Sequence, residues 1–420
     1  MSLVTVSSSQ IITIDHGSPR DSVPVAGARG RSGTGIDWIR LAFAAVLFLV
    51  ALLTVLPAPI YAAWLVGLVA AEGGHWLAPV ALLALIPGWR RSAAGRIAVA
   101  LGIASALLFG APLLQAMRTS GPLQAELART WGEAPLFARD GLPPRVRPVE
   151  LLDLYAGIPI GESRLRTFVY AADATGERRL DLYLPSDSLR AAPLVVLVHG
   201  GSWRAGDRTE LPALARYFAA RGVAVAVPDY RLAPDHPFPA ARNDVLAATD
   251  FVRVSAAALG IDRDRVVYIG RSAGAQLAVS AAMARPADQA VRGAVSLYGP
   301  LDLRWGYANP GNPRVLDGRA VLRDYLGGTP SEVSAVYEAA SPVAQVSGQT
   351  PPVLLLHGGR DDLVSSEHSE RFAARMEWAA RPHFVVRLPW ATHGCDAILR
   401  GPCGQITLFA VERFLASTFR

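Results

Sequence analysis

Hydropathy divides this chain into two unlike parts. Leu41–Ala71 is 31 residues without a charge, and Ile97–Met117 is another 21. A helix needs about 20 apolar residues to cross the hydrocarbon core of a bilayer. Ile97–Met117, between Arg96 and Arg118, therefore predicts one span. Leu41–Trp89 is too long for one crossing and about right for two. Pro57 and Pro59 mark one candidate turn, which leaves Glu72 and His75 inside the second helix. Glu72–His75 marks another, which leaves only Trp76–Trp89 to cross. The first buries a carboxylate, which is expensive in lipid; the second makes a short helix. The reading adopted is a turn or kink at the prolines, and either way three passes are expected. The lack of a polar face argues against core helices of a soluble domain. A signal peptide fits poorly, because some forty mostly polar residues precede the apolar run.

Beyond residue 160 the pattern changes to short apolar runs bounded by turns. Leu194–Val198, Val223–Val227, Arg265–Ile269, Pro352–Leu356 and Phe384–Leu388 read as strands buried on both faces. Ala273–Ala284 is compatible with a helix. The expected organisation is a polar cytoplasmic tail over 1–37 and a membrane region over 38–118. A linker or partial lid would follow over 119–162, then a catalytic domain over 163–420. Leu301–Pro330 is a second long insertion and a rival for the lid.

Two glycine-rich segments follow strands where chemistry can use them. Gly270-Arg271-Ser272-Ala273-Gly274 lies between a strand and a helix, the context of a nucleophile elbow, in which a serine hydroxyl stands clear of both elements. His199-Gly200-Gly201-Ser202-Trp203 follows the upstream strand. When a serine attacks an ester, negative charge develops on the carbonyl oxygen, and aligned backbone N–H groups stabilise it. The amides of Gly200, Gly201 and Ala273 are the candidate donors. His199 reads as a loop histidine with a structural role, and Trp203 as a pocket wall. The serine needs a base, and the base a carboxylate to orient it. Asp361-Asp362 sits just past the strand that ends before His357. Of the eight histidines, His393 alone follows the last strand and precedes the terminal helix. The Ser…Asp…His order is that of α/β-hydrolases.

From about residue 165 onward the chain resembles an α/β-hydrolase of the esterase/lipase kind, near the hormone-sensitive-lipase and feruloyl-esterase-like branches. The resemblance rests on His199–Trp203, Asp229–Pro234, Gly270–Ala278 and His357–Val364. It implies a mostly parallel central sheet flanked by helices, behind an all-α transmembrane region of about three helices. It also implies a serine nucleophile, carboxylic ester substrates and no cofactor, and its spacing favours Asp361 over Asp362. Ser202 and Arg271 depart from the lipase branch, which usually has a third glycine and an acidic residue at those places, so its substrate range does not carry over. Asp229–Pro234 reads as packing and turn chemistry. The expected activity is ester cleavage by Ser272, His393 and Asp361. The alternatives are an amidase, peptidase or protein methylesterase on the same fold, and a catalytically silent binding module.

Charge places the molecule. The chain contains no lysine, so its 41 basic residues are all arginines, and the net charge is +6. Arg20, Arg29, Arg31 and Arg40 precede the first span, and Arg90, Arg91 and Arg96 lie between the second and third. Positive-inside reasoning puts both groups in the cytoplasm. Three crossings then deliver the catalytic domain to the outer side of a bacterial inner or plasma membrane. The arginines are scattered without aromatic interleaving, which argues against nucleic acid as a partner. The expected partners are the bilayer and a small-molecule or lipid ester. Cys395 and Cys403, just past His393, form a possible disulfide in that compartment. They are too few for a structural zinc site, and no metal is expected.

Overall fold

A computed structural model of the chain describes residues 35–132, 142, 145–186, 191–285 and 288–420. The polar tail with Arg20, Arg29 and Arg31 lies outside the described residues, as does Pro143-Pro144. The apolar part forms α1 (Gly35–Leu52), α2 (Tyr61–Glu72), α3 (Gly74–Ala81, continued by a 3-10 turn over Leu82–Leu85) and α4 (Ala93–Trp131). α1 and α4 are long and apolar enough to cross a membrane. α2 and α3 reach that length only as a pair, bent by 86° at Gly73. Both turns weighed from the sequence are thus present: the chain reverses at Pro57–Pro59 and bends again at Glu72–Gly74.

Small residues set the packing of these helices. Ala44 of α1 meets Ala98 of α4 and Ala84, and Ala51 meets Phe109, Ala70 and Ala81. Positions rise together along α1 and α4, so these two run parallel, while α3 runs back between them. Gly74 is where α3 crosses α4: a Cβ there would stand 2.0 Å from the Phe109 carbonyl oxygen.

The segment over 119–162, expected as a linker, begins as helix. α4 continues unbroken to Trp131, 39 residues in all, about 58 Å at 1.5 Å per residue. That is longer than a bilayer core requires. Its last turns bury Leu123, Leu127 and Trp131 in the core of the second domain, where Trp131 stacks edge-on against Phe414 at 5.1 Å. The buried Leu123, Leu127 and Trp131 recur at the four-residue spacing of one helix face. Ahead of α5 (Leu151–Ala156), Arg145 ties the connection down, donating to Asp153 and Gln405 at 2.7 Å each.

The second part is an eight-stranded sheet in the order β1-β2-β4-β3-β5-β6-β7-β8. The strands are β1 (Arg164–Asp173), β2 (Gly176–Leu184), β3 (Ala192–Val198), β4 (Ala224–Pro228), β5 (Ile261–Arg271), β6 (Val291–Leu297), β7 (Val353–Gly358) and β8 (His383–Leu388). β1, β2 and β4 pair antiparallel, and β4 through β8 pair parallel. Both faces are covered. Leu194, Val196 and Val198 of β3 face one core, and Val195 and Leu197 face the other, the period of two that a strand imposes. On the first side lie α7 (Ala240–Val254) and α9 (Ala273–Met283); on the second lie α6 (Pro212–Ala219) and α15 (Pro402–Thr418). α8 (Ala256–Leu259) leads into β5. α10 (Leu303–Ala308), α11 (Gly318–Leu326), α12 (Ser334–Ala340) and α13 (Pro342–Gln345) fill the insertion between β6 and β7, and α14 (Glu367–Trp378) joins β7 to β8.

The β5–α9 turn leaves no room for side chains at its two glycines. A Cβ on Gly270 would stand 2.0 Å from the Gly274 carbonyl oxygen, and one on Gly274 would stand 2.1 Å from that of His199. Both obstacles are backbone. Gly274→Ala is therefore expected to cost more than about 3 kcal/mol, the range of a severe local lesion. Thermal unfolding of the detergent-solubilised protein checks it; an unchanged midpoint would contradict this packing.

Candidate active site

Ser272 occupies the tip of the β5–α9 turn with φ 53° and ψ −123°, a strained backbone for a residue that has a Cβ. Its amide donates to the Leu297 carbonyl at 2.9 Å, which holds the turn against β6. The hydroxyl lies 2.8 Å from Nε2 of His393, on the loop after β8. Nδ1 of that ring lies 2.6 Å from Oδ2 of Asp361, on the loop after β7. Three side chains distant in sequence thus form one hydrogen-bonded line at the carboxyl ends of parallel strands, where ligands bind in open α/β sheets.

Asp361 is fixed from several sides. Its Oδ1 accepts the amides of Leu363 at 3.0 Å and Val364 at 2.8 Å, and His357 lies 3.4 Å from Oδ2. Burial alone would push the carboxyl pKa up. The charge and hydrogen bonds of His393 and His357 outweigh it and hold Asp361 well below the usual carboxylate range. Asp362 points elsewhere, and Oδ2 accepts the amide of Ala58 at 3.0 Å. His357 braces this loop through Ser369 Oγ at 2.7 Å and the Val364 carbonyl at 2.9 Å. Of the other histidines, His368 is buried, its pKa pushed down to about 3 chiefly by desolvation, and His383 contacts the Arg381 carbonyl at 2.9 Å.

The amides of Gly200, Gly201 and Ala273 donate to no acceptor among the described residues. Ser202 and Trp203 follow with φ of 56° and 58°, so the chain curls beside Ser272. Tyr230, from the Asp229–Pro234 motif, explains that motif's presence. Its hydroxyl donates to the carbonyls of His199 at 3.1 Å and Gly200 at 2.9 Å, and its ring stacks on His199 at 4.2 Å. Burial lowers the pKa of His199, which suits a neutral structural ring. Trp203 is buried, stacks on Tyr325 at 4.1 Å and donates to Gln276 at 3.0 Å.

One cluster beside the site was not foreseen. Arg271, singled out only as a departure from family pattern, pairs with Asp396 at 3.0 Å and donates to Tyr298 Oη at 2.6 Å. Tyr298 Oη also donates to Asp396, and its ring packs edge-on against His393 at 4.6 Å. Burial would push the Arg271 pKa down, but the charge of Asp396 and the bonds to it and Tyr298 raise it. Asp396 lies inside the loop closed by the Cys395–Cys403 disulfide, whose Cα atoms are 5.7 Å apart. The elbow and the histidine loop are thereby tied together. Arg271→Ala would leave the Asp396 carboxylate buried and without its cation, an expected loss of about 3–5 kcal/mol. Thermal unfolding of Arg271→Ala and of an Arg271→Ala/Asp396→Ala pair tests this: the double variant should recover part of the loss.

A cleft opens beside Ser272. Leu303, Leu316, Val321, Leu322, Leu363 and Val364 supply its apolar walls, with Trp203 and His368 at its sides. No described residue of 119–162 lines it. The insertion between β6 and β7 builds this wall instead. Among the described residues, no group of acidic, histidine or cysteine side chains is arranged to hold a metal.

Comparison with known proteins places this geometry. The BD-FAE family model matches residues 180–376. Esterase LipC of Mycobacterium tuberculosis is 30% identical over 257 residues, covering 57% of this chain and 62% of that protein. Isoprenylcysteine alpha-carbonyl methylesterase ICME of Arabidopsis thaliana is 28% identical over 251 residues, covering 56% and 58%. The chain thus spans about three fifths of the length of these relatives. Among solved structures, a hyperthermophilic esterase from the archaeon Pyrobaculum calidifontis superposes with a TM-score of 0.54 at 25% identity, covering 60% of this chain and 85% of that one. EstE1, a carboxylesterase cloned from a metagenomic library, superposes at 0.53 and 25%, covering 63% and 92%. The strand order, the elbow and these likenesses agree: the second part has the α/β-hydrolase fold and is similar to esterases built on it.

Proposed function

We propose that the protein is a membrane-bound serine hydrolase that cleaves carboxylic esters through an acyl-enzyme. The observation that carries this reading is the continuous line from Ser272 Oγ through His393 to Asp361, with contacts of 2.8 and 2.6 Å. Nε2 of His393 takes the hydroxyl proton as Ser272 attacks the ester carbonyl, and Asp361 stabilises the imidazolium that forms. The amides of Gly201 and Ala273, with Gly200, hold the oxyanion. The imidazolium returns its proton to the departing alcohol. Water, deprotonated by the same ring, then releases the acid and regenerates the serine. Nothing in this sequence of steps calls on a cofactor.

The proposed architecture is a cytoplasmic tail, a membrane region, a helical connection and a catalytic domain from about residue 163. α1 and α4 cross the bilayer in the same direction, and the bent α2–α3 pair returns the chain between them. Arg90 and Arg91 then lie at the end of the helices remote from the catalytic domain. The positive-inside rule sets that end in the cytoplasm and the active site outside.

Activity-based labelling tests both parts. A fluorophosphonate probe should modify the protein on Ser272, located by peptide mass spectrometry, and a membrane-impermeant version should label it in spheroplasts. Absence of a serine adduct in the folded protein would refute the chemistry. Labelling only after lysis would refute the sidedness.

A further inference from the structure

The membrane helices do more than hold the catalytic domain nearby. Ala58, in the turn between α1 and α2, is gripped on both sides of its peptide units. Its amide donates to Asp362 at 3.0 Å, and its carbonyl accepts from Asn312 Nδ2 at 2.9 Å. Asp362 follows Asp361, which holds His393. Asn312 follows Pro310 and Gly311, which line the Ser272 cleft. Gly311 is itself packed so closely on Asp362 that a Cβ would stand 2.2 Å from its carbonyl oxygen. The turn therefore rests where the loop of the acid meets the outer wall of the cleft.

α2 extends this contact along the histidine loop. Trp64 and Leu68 face Gly394, the neighbour of His393. Glu72 accepts the Cys403 amide at 2.9 Å, near the N-terminus of α15. The opposite surface of the same segment is apolar and uncovered: Val55, Leu56, Ile60, Tyr61, Leu65 and Val69 are all between 42 and 55% exposed. α1, with 18 residues, is about 27 Å long at 1.5 Å per residue and so leaves the hydrocarbon close to this turn. α2, sharply bent from α3, lies with one face on the enzyme and the other toward lipid. The cleft adds a constraint on the ligand. Its described lining contains no acidic side chain, no arginine and no lysine, and its one histidine, His368, is buried.

We propose that the active site draws its substrate sideways from the bilayer, and that the substrates are neutral esters dissolved in the membrane. The turn at Pro57–Pro59 holds the mouth of the cleft at the lipid surface. This inference rests on the hydrolase reading and adds to it a substrate class and a route.

The test uses the full chain reconstituted in phosphatidylcholine vesicles. One substrate is p-nitrophenyl acetate in water. The other is p-nitrophenyl palmitate placed in the same vesicles as the protein or in separate ones. Palmitate ester in the same bilayer should be hydrolysed at least tenfold faster than ester in separate vesicles. Asn312→Ala and Asp362→Ala, which release the turn without touching Ser272, should slow hydrolysis of the embedded ester at least fivefold. Acetate turnover should stay within twofold. Acetate turnover with no attack on the co-embedded palmitate would overturn the inference. So would equal losses on both substrates in Asn312→Ala, or no loss on either. If the wild type neither turns over acetate nor forms a serine adduct, the hydrolase reading fails and takes this inference with it.

Discussion

Replacing Ser272 by alanine should lower kcat/KM for p-nitrophenyl acetate by about 10⁴- to 10⁶-fold while leaving the protein folded. The size of the effect follows from the role proposed for the hydroxyl: without it no acyl-enzyme forms, and only the oxyanion donors and the shaped cleft assist direct attack by water. Retention of the fold follows from the geometry. The strained backbone at φ 53° is equally available to alanine, and the amide bond to Leu297 does not involve the side chain. The lost hydroxyl made one hydrogen bond, to His393, so stability should move by about 1 kcal/mol. Matched far-ultraviolet circular dichroism and thermal midpoints, alongside the rate, check both halves. Wild-type rates in the variant would remove Ser272 from the chemistry.

The elbow was legible in the sequence because its constraints are local. Two glycines around one serine, a strand before and a helix after, can be read within some twenty positions. The same holds for His199–Trp203 and for the buried strands β3, β4, β5, β7 and β8. What escaped depends on contacts remote in sequence. β1 and β2 form an antiparallel edge, with much of β1 exposed, so they lack the dense apolar signature of the interior. β6 opens on Val291-Arg292, whose charge hides a strand that is buried from Gly293 onward. Residues 119–131 looked like a tether because charge and proline interrupt them. The three large side chains of one helix face, which enter the hydrolase core, outweigh those interruptions.

Glu72 shows how a misfit in one reading becomes a contact in another. A carboxylate within an apolar run argued against a continuous helix there, since lipid penalises it. In the folded chain it does not face lipid. It accepts the buried amide of Cys403 at the start of α15, at 2.9 Å. The bend at Gly73 permits that placement. Arg271 belongs to the same class of evidence. As a departure from family pattern it could only weaken the analogy, whereas its partner Asp396 lies 125 positions away and is visible only in three dimensions.

The adjacent pair Asp361-Asp362 offers the sharpest discrimination. Asp361→Asn should reduce kcat/KM for the soluble ester by about 10⁴-fold, the loss seen when the orienting carboxylate of such a site becomes an amide. The amide oxygen would stay with the Leu363 and Val364 amides, which need an acceptor. The NH₂ group would then face Nδ1 of His393. That nitrogen must become an acceptor, so the ring proton moves to Nε2 and points at Ser272, where a base is needed. Asp362→Asn should change the same rate less than threefold, because its oxygen meets Ala58 rather than the imidazole. Stability should separate the pair as well. The pKa of Asp361 is depressed in the folded state. Its contribution is therefore fully present above the usual carboxylate range and is lost as pH falls through the lower folded value. Asp361→Asn should flatten that acid limb of the unfolding profile, whereas Asp362→Asn should preserve it. A comparable rate loss in both variants would show that the loop, not one carboxylate, had been disturbed.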